Sequence, residues 1–230
     1  HFGLPLSPTG HLAFRQHDQG RRLAADDLVA HEFRGRQLIG RQRRAGALLA
    51  HELAVVVAQH AAGGRVALHR ALESERRGTS APAEIINVDD GSTDTTASLI
   101  RTRYGAKVQY IHQVNTGVSA ARNNGIRAAH ADWLTFLDSD DEWLPEKLDQ
   151  QWRVIQSAPH CWIVHVDETW KRDGHRVNPM AKHAKRGGMI YQHCLPLCAI
   201  SPSAVMIHRE VFTASGLFDE SLPVCEDYEL

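Results

Sequence analysis

The chain has 230 residues, 23% charged and 43% hydrophobic, with 26 Lys and Arg against 27 Asp and Glu. That length gives one large domain, or one domain with an extension, and is enough to bury a real core. The near-neutral balance argues against a dedicated nucleic-acid binder, and no apolar run approaches the roughly 18–20 residues of a membrane helix. No signal-peptide pattern is present, and four cysteines without framework spacing read as reduced thiols of a cytoplasmic protein.

Composition changes along the chain. Residues 1–80 hold 12 Arg and 7 His but no Lys, Asn, Tyr, Trp, Cys or Met. Lys, Asn, Tyr and Met have AT-rich codons, so their joint absence matches a GC-rich stretch read outside its native frame. The alternative is an Arg/Ala/Leu-rich helical extension, for which residues 41–57 have the composition. Apolar positions between Leu12 and Leu38 keep neither a 3.6- nor a 2-residue period. Residues 1–52 are therefore set apart as an unassigned extension.

The next segments alternate. Leu53-Ala-Val-Val-Val57 reads as a buried strand, and residues 65–74 as a helix with apolar positions at 66, 68 and 72. Glu84-Ile-Ile-Asn-Val88 is a second strand, and Ser92, Thr93 and Asp94 suit the cap of a helix through Leu99 and Ile100. A third strand is expected over 108–111, a helix over 118–130 and a fourth strand over 133–137. Pro145 opens a last helix that reaches about Gln156. Alternating strands and helices predict an α/β fold, a mostly parallel sheet covered on both faces, with ligands beyond the carboxyl ends of the strands.

Both acidic clusters fall at such ends. In Leu137-Asp-Ser-Asp-Asp141, extended geometry would put Asp138 and Asp140 on one face. Two converging carboxylates call for a cation, and a hard divalent ion, Mg2+ or Mn2+, suits oxygen ligands with substrate phosphates completing its shell. Alone, Asp-x-Asp equally describes a surface turn; the apolar strand before it strengthens the metal reading. In the first cluster, Val88-Asp-Asp-Gly-Ser-Thr-Asp94, Asp89 or Asp90 can accept from a ring N–H of a pyrimidine base, and Gly91 permits close approach of a ligand. The same residues would make a capped helix start. Between the clusters, Gly117 and Ser119 open a helix whose amides suit a phosphate. Arg122 can pair with phosphate or with one of the Asp clusters.

Taken together, Val88-Asp-Asp-Gly-Ser-Thr-Asp94, Asn115-x-Gly-x-Ser-x-Ala-Arg-Asn123 and Leu137-Asp-Ser-Asp-Asp141 resemble family 2 glycosyltransferases of the GT-A fold. Gly216-Leu-Phe-Asp-Glu-Ser-Leu222 and Cys225-Glu-Asp-Tyr-Glu-Leu230 resemble that family's acceptor-side motif. The resemblance implies a Rossmann-like domain over 53–230, with a nucleotide-binding half over 53–156 and an incomplete acceptor half over 157–230. It implies inverting transfer of a sugar from a UDP-, GDP- or dTDP-linked donor to a saccharide or lipid-linked acceptor hydroxyl, in envelope or surface polysaccharide assembly. By resemblance, Asp89 and Asp90 contact the base, and Gly91, Gly117, Arg122 and Asn123 complete the nucleotide-sugar site. Asp138 faces ribose and metal, and Asp140 is the principal metal ligand. Asp227 is the catalytic base, with Glu226 as its neighbour.

The chain departs from the family after the first strand, where Ala-Gln-His-Ala-Ala-Gly-Gly-Arg65 lacks the usual Pro and Tyr. A non-catalytic nucleotide binder and a nucleotidyltransferase are the competing functions. His183, His193, Cys194, Cys198 and Cys225 are a weak zinc candidate beside the reading as reduced, mostly buried thiols. The run Lys182-His-Ala-Lys-Arg186 is a solvated loop or a contact for a lipid phosphate or for the inner face of the membrane.

Overall fold

A computed structural model describes residues 10–13, 29–32, 52–60, 64–172, 175–177, 181–188, 190–196 and 198–222. The strands are β1 (Gly10–Ala13), β2 (Val29–Glu32), β3 (Leu53–His60), β4 (Glu84–Asp90), β5 (Gln109–Gln113), β6 (Trp133–Asp138), β7 (Cys161–His165), β8 (Thr169–Arg172), β9 (His175–Val177) and β10 (Val205–His208). The helices are α1 (Gly64–Arg76), α2 (Thr96–Leu99), α3 (Val118–Ala128), α4 (Lys147–Ser157), α5 (Tyr191–Cys194) and α6 (Arg209–Ser215). A π turn over Ile100–Tyr104 continues α2.

Seven strands form one sheet in the order β2-β7-β10-β6-β3-β4-β5. β6, β3, β4 and β5 are parallel, as the alternating pattern predicts. β10 then pairs antiparallel with both β6 and β7, and β7 pairs antiparallel with β2. This antiparallel wing is the part that sequence pattern does not reveal. β10 is only Val-Met-Ile-His, too short an apolar run to separate from a buried loop. Two pieces of the segment set apart at the amino terminus enter the sheets: β2 here, and β1 beside β8 in the three-stranded sheet β1-β8-β9.

Strand alternation divides the core. Leu53, Val55 and Val57 pack on one face with Leu68 and Leu72 of α1 and Trp152 and Ile155 of α4. Ala54, Val56 and Ala58 pack on the other with Ala121 and Ile126 of α3 and Phe212 of α6. Period-2 alternation sends successive side chains to opposite faces, so both are apolar and both are covered. Gly125 sits inside α3, where glycine costs about 1 kcal/mol relative to Ala. A Cβ there would lie 2.2 Å from Val56 Cγ1, so the helix can reach the sheet only without a side chain at this point.

Candidate active site

Parallel strands end together, and here the ends carry the acids. In register, Gln59 of β3 stands beside Asp89 of β4, and Ala58 stands beside Asp138 of β6. Gln59 is fully buried and donates from Nε2 to Ser92 Oγ and Thr96 Oγ1, both at 3.1 Å. It holds the loop after β4 against β3. No sequence signal singled it out, because one amide after an apolar run is common.

Asp89 and Asp90 are both buried, at 1% and 0% exposure. Asp89 accepts from the Tyr110 hydroxyl at 2.5 Å and from the Ser92 amide at 2.8 Å, and His112 Nδ1 lies 3.7 Å away. Burial and this hydrogen bond raise the Tyr110 phenol above its usual range. Asp90 differs. It accepts from the Thr116 amide (2.8 Å), the Gly117 amide (2.9 Å) and Gln113 Nε2 (2.8 Å). Both Asp90 oxygens accept from its own chain, as both Asp89 oxygens do, so each carboxylate also shapes the loop in which it stands. The Thr116 and Gly117 amides just before α3 are served by the Asp90 carboxylate, which also suits the positive end of the helix.

Gly91 and Gly117 have φ of +83° and +98°, in the left-handed region. At Gly91 a Cβ would meet the Asn115 backbone nitrogen at 2.9 Å, so the glycine serves the packing of loop on loop. Asn123, expected at the nucleotide, is 1% exposed and engaged within the chain. Its Nδ2 donates to the Phe218 carbonyl and Glu220 Oε1, both at 2.8 Å, and its Oδ1 accepts from the Phe218 amide at 3.0 Å. It fastens residues 218–220 onto α3. The hydrogen bond from Asn123 holds the Glu220 carboxyl below its usual range.

Of its two expected partners, Arg122 takes the Asp cluster. Its Nη2 lies 3.0 and 3.1 Å from the two Asp138 oxygens, with the guanidinium over the Phe218 ring at 5.5 Å. β6 ends at Asp138, and the chain turns there, with the Asp141 amide donating to the Asp138 carbonyl at 3.0 Å. Asp138 and Asp140 therefore belong to a turn, not to one face of an extended strand. Ser203 braces it, its Oγ accepting from the Asp138 amide at 3.0 Å. Asp138 is half-buried, Asp140 exposed and Asp141 buried. Burial raises the Asp141 carboxyl well above the carboxylate range, and Asp138, Asp140 and Glu168 add to the effect. Three carboxylates, Asp138, Asp140 and Asp141, crowd the turn, a donor set of hard oxygens that suits a divalent cation. Among the described residues no group of three His, Cys, Asp or Glu could cage a metal, which removes the zinc candidate for its described members. Asp138 and Asp140 would need oxygens from a substrate, the usual habit of Mg2+.

Across the sheet, Glu168 gathers three donors: Lys185 Nζ at 2.6 Å, Trp170 Nε1 at 3.0 Å and the Ser201 amide at 3.3 Å. Lys185 also donates to the Ala199 carbonyl at 2.6 Å. Of the basic run read as a loop, Lys185 is thus an internal clamp. Glu226 and Asp227 lie outside the described residues.

The comparisons agree with this architecture. The model of Glycosyl transferase family 2 matches residues 55–214, and the chain belongs to that family. An uncharacterised glycosyltransferase of Rickettsia typhi is 29% identical over 169 residues, which cover 71% of this chain and 52% of that protein. One from Haemophilus influenzae is 31% identical over 173 residues, 69% of this chain and 54% of its own length. The chain thus spans about half the length of these curated relatives. Among solved structures, Staphylococcus aureus TarS 1-349 in complex with UDP-GlcNAc superposes with a TM-score of 0.62 at 19% identity, covering 77% of this chain and 51% of that one. The mannosyltransferase PcManGT of Pyrobaculum calidifontis, in complex with GDP-Man and Mn2+, gives 0.56 at 16% identity, covering 78% and 51%. Both share the fold.

Proposed function

We propose that this chain carries the donor-binding part of an inverting glycosyltransferase that moves a sugar from a nucleoside-diphosphate donor to an acceptor hydroxyl. One observation carries the reading. Asp89 and the Arg122-paired Asp138 turn stand at the carboxyl ends of β4 and β6, the parallel strands on either side of β3, where open α/β sheets bind ligands. The UDP-GlcNAc and GDP-Man complexes of the two structural neighbours support a nucleotide sugar as donor. Asp89 would recognise the base. Asp138 and Asp140 would hold Mg2+ or Mn2+, which supplies positive charge against the leaving diphosphate.

In the transfer, the bond from the anomeric carbon to the diphosphate oxygen breaks as the acceptor oxygen bonds to that carbon. The acceptor proton passes to a carboxylate, assigned to Asp227 with Glu226 beside it. Such a base contributes about 10²- to 10⁴-fold. Acceptors in envelope or surface polysaccharide assembly, and a cytoplasmic setting, complete the proposal. No helix among the described residues is long and apolar enough to cross a membrane.

Isothermal titration with UDP and GDP, each with Mn2+ and with EDTA, tests the donor site. One of the two should bind at least ten-fold more tightly with Mn2+, and Asp140→Asn should abolish the difference while leaving the melting temperature unchanged. Equal affinity under all three conditions would overturn the metal assignment, and no binding of either nucleotide would overturn the donor site.

A further inference from the structure

Residues 169–196 carry six Lys and Arg and one acidic residue, Asp173, in a chain whose totals are 26 and 27. Lys185 is neutralised by Glu168. The other five cations, Lys171, Arg172, Arg176, Lys182 and Arg186, are exposed. The same stretch holds three of the five large apolar side chains exposed among the described residues: Val177 at 37%, Tyr191 at 73% and Leu195 at 59%. Tyr191 and Leu195 are four apart, with the Leu195 amide bonded to the Tyr191 carbonyl, so they project from one side of a helical turn.

These pieces are neighbours in space. Trp170 of β8 meets the His183 ring at 5.0 Å, which joins the β8–β9 hairpin to the 181–183 turn. α5 begins at Tyr191, five residues after Arg186, so it lies within about 18 Å of the basic turn. In the hairpin, Trp170 stands opposite Val177 and Arg172 opposite His175, and the pleat puts these four on one face and the Lys171–Arg176 pair on the other, so Arg172 is the hairpin cation beside Val177.

Exposed Arg172, Lys182 and Arg186 in the same stretch of chain as exposed Tyr191 and Leu195 match a surface that is anionic and has an apolar interior. Tyr places its ring at the headgroup level, Leu enters the acyl region, and Lys and Arg meet lipid phosphates. A soluble anion would use the charges but give Tyr191 and Leu195 nothing. We infer that the β8–β9 hairpin, the 181–186 turn and α5 form a peripheral docking surface for anionic phospholipid. The inference does not depend on the donor site, and either can fail without the other.

Co-sedimentation of the full chain with vesicles tests it, using phosphatidylcholine with 30% (roughly) phosphatidylglycerol against phosphatidylcholine alone. Binding should be confined to the anionic vesicles and weaken as salt rises. Each exposed cation removed should weaken it about five-fold, so Lys182→Gln with Arg186→Gln should lose about 25-fold. Tyr191→Ser with Leu195→Ser should lose about ten-fold with the salt dependence retained. Both pairs are at exposed positions and should leave the melting temperature unchanged. Equal binding to both vesicle types, no binding to either, or binding that ignores both double variants would overturn the inference. Retention on a soluble polyanion such as heparin without vesicle binding would reassign the surface to a soluble ligand.

Discussion

Arg122 and Asp138 are sixteen residues apart in sequence and face each other across the carboxyl edge of the sheet, one guanidinium nitrogen reaching both carboxylate oxygens. Arg122 is 3% exposed in its side chain and Asp138 is 27% exposed, so the pair is shielded on the arginine side and wet on the other. Removing one member of a shielded pair leaves the other charge uncompensated. Here the orphaned acid would also face Asp140 and Asp141.

Arg122→Ala should therefore lose about 2–3 kcal/mol in urea denaturation, less than a fully buried pair because Asp138 keeps some solvent. Adding Asp138→Asn to it should restore part of that loss, since the uncompensated charge is then gone. A loss under about 0.5 kcal/mol would show that water alone satisfies Asp138.

Glu75 predicts a pH dependence. It is 4% exposed, its Oε2 has no hydrogen-bond partner, and burial raises its carboxyl from 4.5 to about 7, with Arg76 opposing. A folded-state pKa above the unfolded one means the folded protein holds the proton more tightly. Its contribution is then favourable at acid pH and lost as pH rises from about 4.5 through about 7. The slope is about 1.4 kcal/mol per unit. Glu75→Gln should match the wild type near pH 4.5 and exceed it by roughly 2–3 kcal/mol at pH 8. Parallel stability curves for the two proteins from pH 4.5 to pH 8 would refute this.

Gly125 and Val56 predict a coupling. Gly125→Ala drives a methyl into Val56 and should cost about 2–3 kcal/mol despite the better helix propensity of Ala. Val56→Ala alone should cost a similar amount through its cavity. The double variant should be more stable than the sum of the two losses predicts by at least about 1 kcal/mol. Strict additivity in the double-mutant cycle would mean that the helix shifts away instead.

How far the sequence could be read follows the range of the interactions. β3, β4, β6 and α3 were legible because their signals are local: apolar runs, two of them ending in Asp, and a glycine opening a helix. The acids at the strand ends were legible for the same reason. Their division of labour was not. Asp89 and Asp90 are neighbours with the same side chain, and only the fold gives Asp90 the amides at 116–117 and Asp89 the Tyr110 hydroxyl. Asn123 turned out to bind residues 218 and 220, a contact spanning some 95 positions that no spacing rule encodes. Lys185 read as part of a solvated basic run because its partner, Glu168, sits beyond the β8–β9 hairpin.

The placement of β10 sets an order of events during synthesis. β3 to β6 emerge first and can assemble a four-stranded parallel sheet, but β6 then lies at its border with its hydrogen-bonding groups unpaired. Its sequence there, Trp-Leu-Thr-Phe-Leu-Asp, is almost entirely apolar. Such a border is a template for pairing with another chain. Only when residues 205–208 arrive do Thr135, Leu134 and Trp133 gain their antiparallel partners Met206, Ile207 and His208. A chain interrupted before that point would be left with a sticky seam beside its own acidic turn, and aggregation rather than a smaller folded unit is the expected fate of such a fragment.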